Sequence, residues 1–361
     1  MNEGFSRLAP SFLPATAALE LTYQCNHTCL FCSCPWEAPN TRFKRDEELS
    51  ADEWISVISK LTSMGVCNIA FTGGEPLLKA DWERIVAHAA ACKTEHVETV
   101  DGELRSRIAP PQVYLISNGT MVDDHELKTC KKYGVHLSMS LPGLTTYTQH
   151  TQFGSPDKVL DNFRKASKMG VTTTVNITVT QKNFFELYET IAEALIAGAD
   201  TLLMNRFLPG GRGLTYKDEL LLTSAQIREA LQIADRVLVE SNRTGHLGTE
   251  VPLCLVHDLE FKKLKVGVTC SAARDFFVIG PSGKIRTCNH SPVELVHVND
   301  IEACKTHPYW KRFVMKDYSP EFCSACSARF ACDAGCREAA HIMSGELNAC
   351  DYTMTDCKIL E

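Results

Sequence analysis

The segment Cys25-Asn26-His27-Thr28-Cys29-Leu30-Phe31-Cys32 places three cysteines at intervals of four and three residues, directly after an apolar, strand-like run over 18–23. Three thiolates from one short loop can hold three corners of a cubic iron–sulfur cluster, which ordinarily takes four protein thiolates. The loop therefore predicts a cluster with one open iron, at which another molecule can bind.

Two alternatives for this loop are a zinc knuckle and a set of buried free cysteines. Zinc sites more often use a two-residue gap in each half and a second pair further along the chain. The spacing CxxxCxΦC, with Phe31 before the last cysteine, resembles the signature of the radical S-adenosylmethionine (SAM) enzymes. The resemblance implies that Cys25, Cys29 and Cys32 bind a [4Fe–4S] cluster whose open iron chelates SAM. Cys34 fits no ligand position of the family and is expected to be a nearby thiol that binds no metal.

A second motif, Thr72-Gly73-Gly74-Glu75-Pro76, follows the next predicted strand, 66–71. Two glycines at a strand end let the backbone come close to a ligand, and a carboxylate can accept a charge-assisted hydrogen bond from an ammonium. Alone, these residues would more often form a turn. In this position they resemble the GGEP motif that holds the amino group of SAM in the same family, which implies that Gly73, Gly74, Glu75 and Pro76 contact SAM.

Predicted strands alternate with predicted helices up to residue 240. The strands are 18–23, 66–71, 112–117, 135–141, 171–180 and 201–207, and the helices begin at Ser50 or span 81–92, 123–133, 157–169, 184–197 and 224–240. This alternation implies right-handed crossovers and a parallel sheet. The fold class is therefore predicted as α/β, and the resemblance to radical SAM enzymes implies that the six strands form a partial (β/α)6 TIM-like barrel. The segment 93–111 has mixed charge and no period, so an exposed insertion is expected there.

Such a sheet binds ligands at the carboxyl ends of its strands. Polar residues fall at these ends: Ser117, Asn118, Ser138, Ser140, Asn176, Thr178, Asn205 and Arg206. Any one of them alone would more often be a capped turn or a satisfied polar group. Together they fit a pocket for SAM, and Ser117, Asn118 and Ser140 are the predicted cofactor-binding residues. The loop 208–213 is either a substrate-contacting loop or a flexible connection.

Ten of the seventeen cysteines lie from Cys254 onward. Their order, C-x12-G-x4-C, then C-x2-C-x5-C-x3-C, then a terminal cysteine, resembles the SPASM domain, which carries two auxiliary [4Fe–4S] clusters. The resemblance implies an inner cluster on Cys270, Cys288 and Cys336 with Cys254 as fourth ligand. It implies an outer cluster on Cys323, Cys326 and Cys332 plus Cys350 or Cys357. Two zinc sites are the alternative, and Cys67, Cys92, Cys130 and Cys304 are expected to be structural.

With 361 residues, the chain is predicted to comprise an N-terminal extension at 1–17, a radical SAM barrel at 18–245 and a SPASM domain at 246–361. A net charge of −7 provides no basic stripe, so nucleic acid is not an expected partner. Neither a signal peptide nor a membrane span is predicted, and a cytoplasmic location with reduced thiols is expected.

SPASM proteins mostly act on peptides or proteins. The predicted function is therefore a maturase that forms a thioether or carbon–carbon cross-link in a ribosomally made peptide. The alternatives are a sulfatase-type formylglycine maturase, an enzyme that oxidises side chains of a haem precursor, and a non-enzymatic multicluster electron carrier. Besides the peptide, an external electron donor of the flavodoxin or ferredoxin type is an expected partner. About twenty residues before the first strand are too few for a leader-binding domain, so a leader would be recognised by another surface of this chain or by a separate leader-binding protein.

One residue distinguishes cross-linking from sulfatase maturation. Residues 276–285 are predicted to form a hairpin flanked by Cys270 and Cys288. Sulfatase maturases resemble this chain but place an aspartate, as a base, directly after the second of these cysteines. This chain has Cys288-Asn289-His290, and an amide cannot accept the proton. The sequence therefore favours cross-linking, with His290 as a candidate base, although a histidine beside a cluster is more often an ordinary hydrogen-bonding neighbour.

Overall fold

A computed structural model of the chain describes residues 12–41, 43–100 and 103–354. Cys357, one of the two predicted candidates for the last outer ligand, lies outside these ranges. The main feature is one ten-stranded sheet, in the order β10-β9-β8-β7-β6-β5-β2-β1-β11-β12, in which only the β11–β12 pair is antiparallel.

The strands are β1 Thr16–Glu20, β2 Asn68–Thr72, β3 Thr94–Val100, β4 Glu103–Ala109, β5 Gln112–Ser117, β6 His136–Ser140, β7 Thr173–Val179, β8 Thr201–Arg206, β9 Thr244–Leu247, β10 Leu264–Lys265, β11 Phe276–Ile279 and β12 Ile285–Arg286. The helices are α1 Ala51–Ser63, α2 Trp82–Ala91, α3 Asp124–Tyr133, α4 Tyr147–Thr151, α5 Pro156–Met169, α6 Leu187–Ile196, α7 Lys217–Leu220, α8 Ser224–Glu240, α9 Leu253–Val256, α10 Pro308–Val314 and α11 Arg337–Ser344.

The six predicted barrel strands are neighbours in one parallel array, β1-β2-β5-β6-β7-β8, which confirms the predicted class. Helices connect successive strands because parallel neighbours need a crossover. In α1, the expected capping box forms between Ser50 and Glu53, and the buried face carries Trp54, Ile58 and Leu61. Burial of an aliphatic side chain such as Ile58 or Leu61 contributes about 1.5–3 kcal/mol to the free energy of folding.

The C-terminal third extends the same sheet. Strand β11 pairs in parallel with β1, from Thr16 opposite Phe276 to Leu19 opposite Ile279. A buried ion pair between Glu20 and Arg286 adds to this junction. On the opposite side of the array, β9 and β10 follow β8, and the predicted boundary between residues 245 and 246 falls within β9. The predicted division into domains therefore crosses a continuous sheet.

The segment 93–111, for which an exposed insertion without periodicity was predicted, contains two antiparallel strands, β3 and β4. Its exposure is as predicted at Val97 and Ile108, which are 60% and 67% exposed, but Thr94 and His96 at the start of β3 are buried. Residues 105–108 are all exposed, so neither face of β4 is selected for apolar side chains. The alternation by which a half-buried strand is recognised is absent for that reason.

No helix in the described ranges is long and apolar enough to cross a membrane.

Candidate active site

The cysteine loop and the Gly-Gly-Glu-Pro segment are joined by a ladder of backbone hydrogen bonds beyond the ends of β1 and β2. Leu21 N–H donates to Thr72 O at 2.8 Å, Gly74 N–H donates to Thr22 O at 2.8 Å, and Glu75 N–H donates to Gln24 O at 2.7 Å. Both motifs therefore lie at the carboxyl edge of neighbouring strands, where a parallel sheet binds ligands.

Both glycines are required by the chain's own packing. A Cβ at Gly74 would lie 2.0 Å from Gln24 O, and one at Gly73, whose φ is +138°, would lie 2.7 Å from Thr22 O. We expected the glycines to open the backbone to a ligand. In the structure their space is instead filled by residues 22–24, which lead into the cysteine loop, so the glycines fix the distance between the two motifs.

The Glu75 side chain is fully buried. It accepts hydrogen bonds from Ser117 Oγ at 2.8 Å, Asn118 N–H at 2.8 Å and Leu77 N–H at 3.3 Å. Burial raises the pKa of this carboxyl to about 7, against the opposing effect of those donors. Within the described ranges no lysine or arginine pairs with it, so the site fits a bound amino group, which would stabilise the carboxylate.

The three thiols of the cysteine loop lie close together. Cys25 is exposed at the protein surface, but desolvation by the surrounding protein raises the pKa of its thiol to about 11, with the negative neighbours Glu75 and Cys32 adding to the effect. Burial is also the largest cause of the raised pKa of Cys29, and the negative charges of the Cys32 and Cys25 thiolates raise it further. Three converging thiols that repel one another as thiolates fit a multinuclear iron cluster, whose positive irons favour the thiolate forms. In the part of the chain that the structure describes, no three His, Cys, Asp or Glu side chains converge closely enough to hold a single metal ion.

Cys34 lies directly beside this set. Its thiol is hydrogen-bonded to Cys32, which lowers the pKa of Cys32, and its Sγ is 3.8 Å from Gly73 O. A cysteine outside the ligand spacing thus contacts a predicted ligand. This contact could have been suspected from the two-residue separation alone.

The loop 208–213 is fastened to the cysteine loop. Gly213 N–H donates to Cys32 O at 3.1 Å, and Arg212 donates to Cys29 O at 3.2 Å and forms an ion pair with Glu37. Gly211, at φ +49°, lies so close to Cys32 O and Cys34 O that a Cβ would approach each to 2.5 Å. The expectation of a flexible connection does not fit these contacts.

His290 is buried, and its Nε2 is 2.8 Å from Pro209 O, so this nitrogen carries the proton and donates to the carbonyl. Burial lowers the pKa of the imidazole to about 4. The ring also covers Gly210, where a Cβ would approach Cε1 to 2.5 Å. The predicted candidate base therefore contacts the loop 208–213 and holds it by a hydrogen bond.

The predicted SAM-pocket residues have different surroundings. Asn118 joins the cysteine loop, since its Nδ2 donates to Asn26 Oδ1 at 2.7 Å, and Ser117 is tied to Glu75. Ser140 ends β6 beside Asn176 of β7. Arg206 differs from the expectation of a pocket residue, because it forms a buried two-point ion pair with Asp351 at 2.6 and 3.1 Å.

Three of the expected inner ligands converge. Cys270, Cys288 and Cys336 are all buried, and each interacts electrostatically with at least one other member of the set. Backbone hydrogen bonds fix two of them, from Cys270 N–H to Asp333 at 2.7 Å and from Cys336 N–H to Asp351 at 2.9 Å.

Cys254 lies elsewhere than expected. It lines one cavity with Cys323, Cys326 and Cys332, the expected outer ligands. Its neighbour Leu253 donates its N–H to Cys332 Sγ at 3.3 Å, because the start of α9 packs on the outer cysteine segment. The Cys323 thiol interacts electrostatically with four other cysteines, Cys254, Cys326, Cys332 and Cys350. The expectation that Cys254 completes the inner set was therefore not met, since spacing along the chain does not show which segment α9 packs against.

Residues 19–195 match the radical SAM superfamily. This match covers the cysteine loop and the Gly-Gly-Glu-Pro segment, so the chain contains a radical SAM domain and is a radical SAM enzyme. Such an enzyme uses a [4Fe–4S] cluster and SAM. The interpretation as a protein that only transfers electrons is not supported.

Among its relatives is the PqqA peptide cyclase of Granulibacter bethesdensis, 25% identical over 351 residues, which cover 94% of this chain and 86% of that protein. The PqqA peptide cyclase of Rhodopseudomonas palustris is 26% identical and covers 97% of this chain and 89% of its own length. The sporulation killing factor maturation protein SkfB of Bacillus subtilis is 28% identical over 61% of this chain and 50% of its own length.

Two solved structures share the fold over nearly the whole chain. Streptococcus suis SuiB bound to S-adenosylmethionine has a TM-score of 0.70 at 14% identity, covering 95% of this chain and 77% of SuiB. Native anSMEcpe with bound AdoMet has a TM-score of 0.68 at 14% identity, covering 94% of this chain and 93% of its own. These likenesses confirm the partial barrel.

Proposed function

We propose that this enzyme is a maturase that cross-links two residues of a ribosomally made peptide. The observation that carries the proposal is the extent of similarity to PqqA peptide cyclases, which covers 94% and 97% of the chain in two relatives. It therefore continues past residue 195, where the superfamily match ends, into the cysteine-rich third.

We propose three [4Fe–4S] clusters. The first uses Cys25, Cys29 and Cys32, the inner auxiliary cluster uses Cys270, Cys288 and Cys336, and the outer one uses thiols from Cys254, Cys323, Cys326, Cys332, Cys350 and Cys357. When bound, the first cluster and SAM supply a radical that abstracts a hydrogen atom from the substrate. Reduction of the first cluster requires an external donor of the flavodoxin or ferredoxin type.

The chain's own residues bind and orient SAM. Glu75 accepts a hydrogen bond from the amino group of SAM, and Ser117 and Asn118 hold the Glu75 carboxylate in place. Ser140, at the end of β6, contacts the rest of SAM from the same edge of the sheet. The loop 208–213 borders this edge above the cysteine loop, which makes it a wall of the peptide site.

Cross-linking removes two hydrogens from the peptide. When bound, the SAM-derived radical would take one of them as a hydrogen atom; the second would leave as a proton to solvent and an electron to the auxiliary clusters that the C-terminal cysteines would hold. The contact of His290 with Pro209 favours a positioning role for this histidine over that of the base. A separate leader-binding protein is proposed to deliver the peptide.

The proposal is tested with the reconstituted enzyme, SAM, a reductant and the short peptide encoded beside its gene. Mass spectrometry should show a product lighter by two hydrogens, with fragments missing between the linked residues. The Cys29→Ala variant, whose auxiliary cysteines are intact, should form neither product nor 5′-deoxyadenosine. An aldehyde at a cysteine or serine of a sulfatase-type peptide, without a cross-link, would contradict the proposal.

A further inference from the structure

Among the residues that the structure describes, the inner set of cysteines contains three thiols rather than four. Cys270, Cys288 and Cys336 are 4%, 7% and 6% exposed. The fourth cysteine expected there, Cys254, lies with the outer set instead. Since a [4Fe–4S] cluster has four irons and ordinarily four protein ligands, the described part of the inner site lacks one thiolate, and a ligand of another kind there would complete it.

Four carboxylates lie near these thiols, and three of them are fully engaged by the protein. Asp333 accepts from Cys270 N–H and pairs with Arg274 and Lys316. Asp351 accepts from Cys336 N–H, Thr353 and Arg206. Glu338 accepts from Thr287, from Tyr309 through both of its oxygens, and from His341. Each of these side chains is at most 5% exposed and already has its oxygens occupied.

Glu250 is the fourth carboxylate. It is the strongest negative neighbour of both the Cys270 and the Cys336 thiols, and burial raises the pKa of its carboxyl. Its Oε1 accepts from Ser271 N–H at 3.0 Å, which places it next to Cys270. Its backbone oxygen is held by Arg206 at 2.8 and 3.2 Å, and Arg206 in turn pairs with Asp351, the acceptor for Cys336 N–H.

Among the described residues the Glu250 carboxylate forms no ion pair, and the nearest cation, Arg206, which lowers its pKa from a distance, is paired with Asp351. Ser271 and the backbone N–H of Glu250 are its only donors there, and Arg206 contacts its main chain rather than its carboxylate. A half-buried carboxylate beside three thiols is stabilised when a cation compensates for its charge. An iron at the open corner would provide this compensation, because carboxylate oxygens are ordinary iron ligands.

We propose that Glu250 is the fourth ligand of the inner auxiliary cluster, through an oxygen of its carboxylate. The inference rests on the proposed inner cluster and adds its missing ligand. One iron of this cluster then has an oxygen ligand and differs from the three irons bound by thiolate. Ser271 orients the carboxylate from outside, as second-sphere donors do at metal sites.

The experiment uses the full chain with Cys25, Cys29 and Cys32 changed to Ala, so that only the auxiliary clusters remain. The readouts are iron content and the electron paramagnetic resonance spectrum of the reduced protein, with and without cyanide as a probe for an open iron. Glu250→Gln should alter the inner-cluster spectrum and make it respond to cyanide. Glu250→Cys should restore full iron content, with a spectrum that cyanide does not change.

Glu338→Gln is the matched control, because this carboxylate also lies beside the inner set but has no free oxygen. It should retain the parent spectrum and remain insensitive to cyanide. A parent-like, cyanide-insensitive spectrum in Glu250→Gln would overturn the assignment, as would a change that appears only in Glu338→Gln. Iron well below about eight per chain in the parent would instead show that the proposed auxiliary clusters are wrong, and the inference would fail with them.

Discussion

At the scale of single residues, the site depends on a carboxylate held in an unfavourable environment. Glu75 is buried and receives three hydrogen bonds, yet its pKa stays near 7 because desolvation outweighs them. The sequence predicted the role of Glu75 from its motif. It did not predict that residues 22–24 occupy the space beside Gly73 and Gly74. The pairing of the two segments beyond the ends of β1 and β2 depends on the tertiary fold.

SAM affinity should rise with pH between 6 and 8. A group with a pKa of about 7 is about one-tenth ionised at pH 6 and nine-tenths at pH 8, so a site that requires the carboxylate gains about tenfold in affinity. Anaerobic equilibrium dialysis of the reconstituted enzyme measures this change. In Glu75→Gln the pH dependence should disappear and binding should weaken by about 1.5–3 kcal/mol. A flat profile in the unmodified enzyme, with its iron content constant, would contradict the assignment.

At the scale of elements, the loop 208–213 is the part of the barrel whose role changed most between sequence and structure. Its glycine-rich composition predicts a loop. In the structure this loop is fixed by contacts with the cysteine loop on one side and by the hydrogen bond from His290 on the other. Strand β4 shows the opposite case, because a strand exposed on both faces, as at residues 105–108, lacks the alternation that reveals half-buried strands. Elements with one buried face, such as α1, were predicted well.

His290 should be replaceable by a residue that donates the same hydrogen bond. A glutamine amide can donate to Pro209 O but has no basic lone pair at neutral pH. His290→Gln should therefore retain most of the cross-linking rate, whereas His290→Ala should lower product formed per 5′-deoxyadenosine, since the loop loses a buried hydrogen bond worth about 1–3 kcal/mol. Product and 5′-deoxyadenosine are quantified together by chromatography. Equal loss of product in both variants, with iron content unchanged, would give His290 the role of base.

At the scale of the whole molecule, the C-terminal third is bound to the barrel by buried charges as well as by strands. Arg206 at the end of β8 pairs with Asp351, and both side chains are at most 2% exposed. The two charges favour each other, since Asp351 holds the pKa of Arg206 above its usual value and is itself held below its own, although burial opposes both shifts. Sequence could not pair two residues 145 positions apart.

Removal of one partner should be costly. Asp351→Ala leaves the Arg206 charge buried and unpaired, which costs about 3–5 kcal/mol in the free energy of unfolding. The exposed pair Arg228–Asp258 provides the control, and Asp258→Ala should change stability little because solvent screens that pair. Denaturant unfolding of both reconstituted variants gives the comparison. Similar losses of unfolding free energy in the two variants would show that burial does not make the Arg206–Asp351 pair more important for stability than the exposed pair.

The pairing of β1 with β11 also constrains how the protein is made. Residues 16–19 find their partners at 276–279, so a ribosome must translate about 260 further residues before one edge of β1 is covered. Until then the nascent chain presents an unpaired strand edge next to the cysteine loop, and such edges readily associate with other chains. The enzyme is therefore expected to depend on chaperones during synthesis, and a chain released before residue 279 is expected to aggregate rather than assemble a functional barrel.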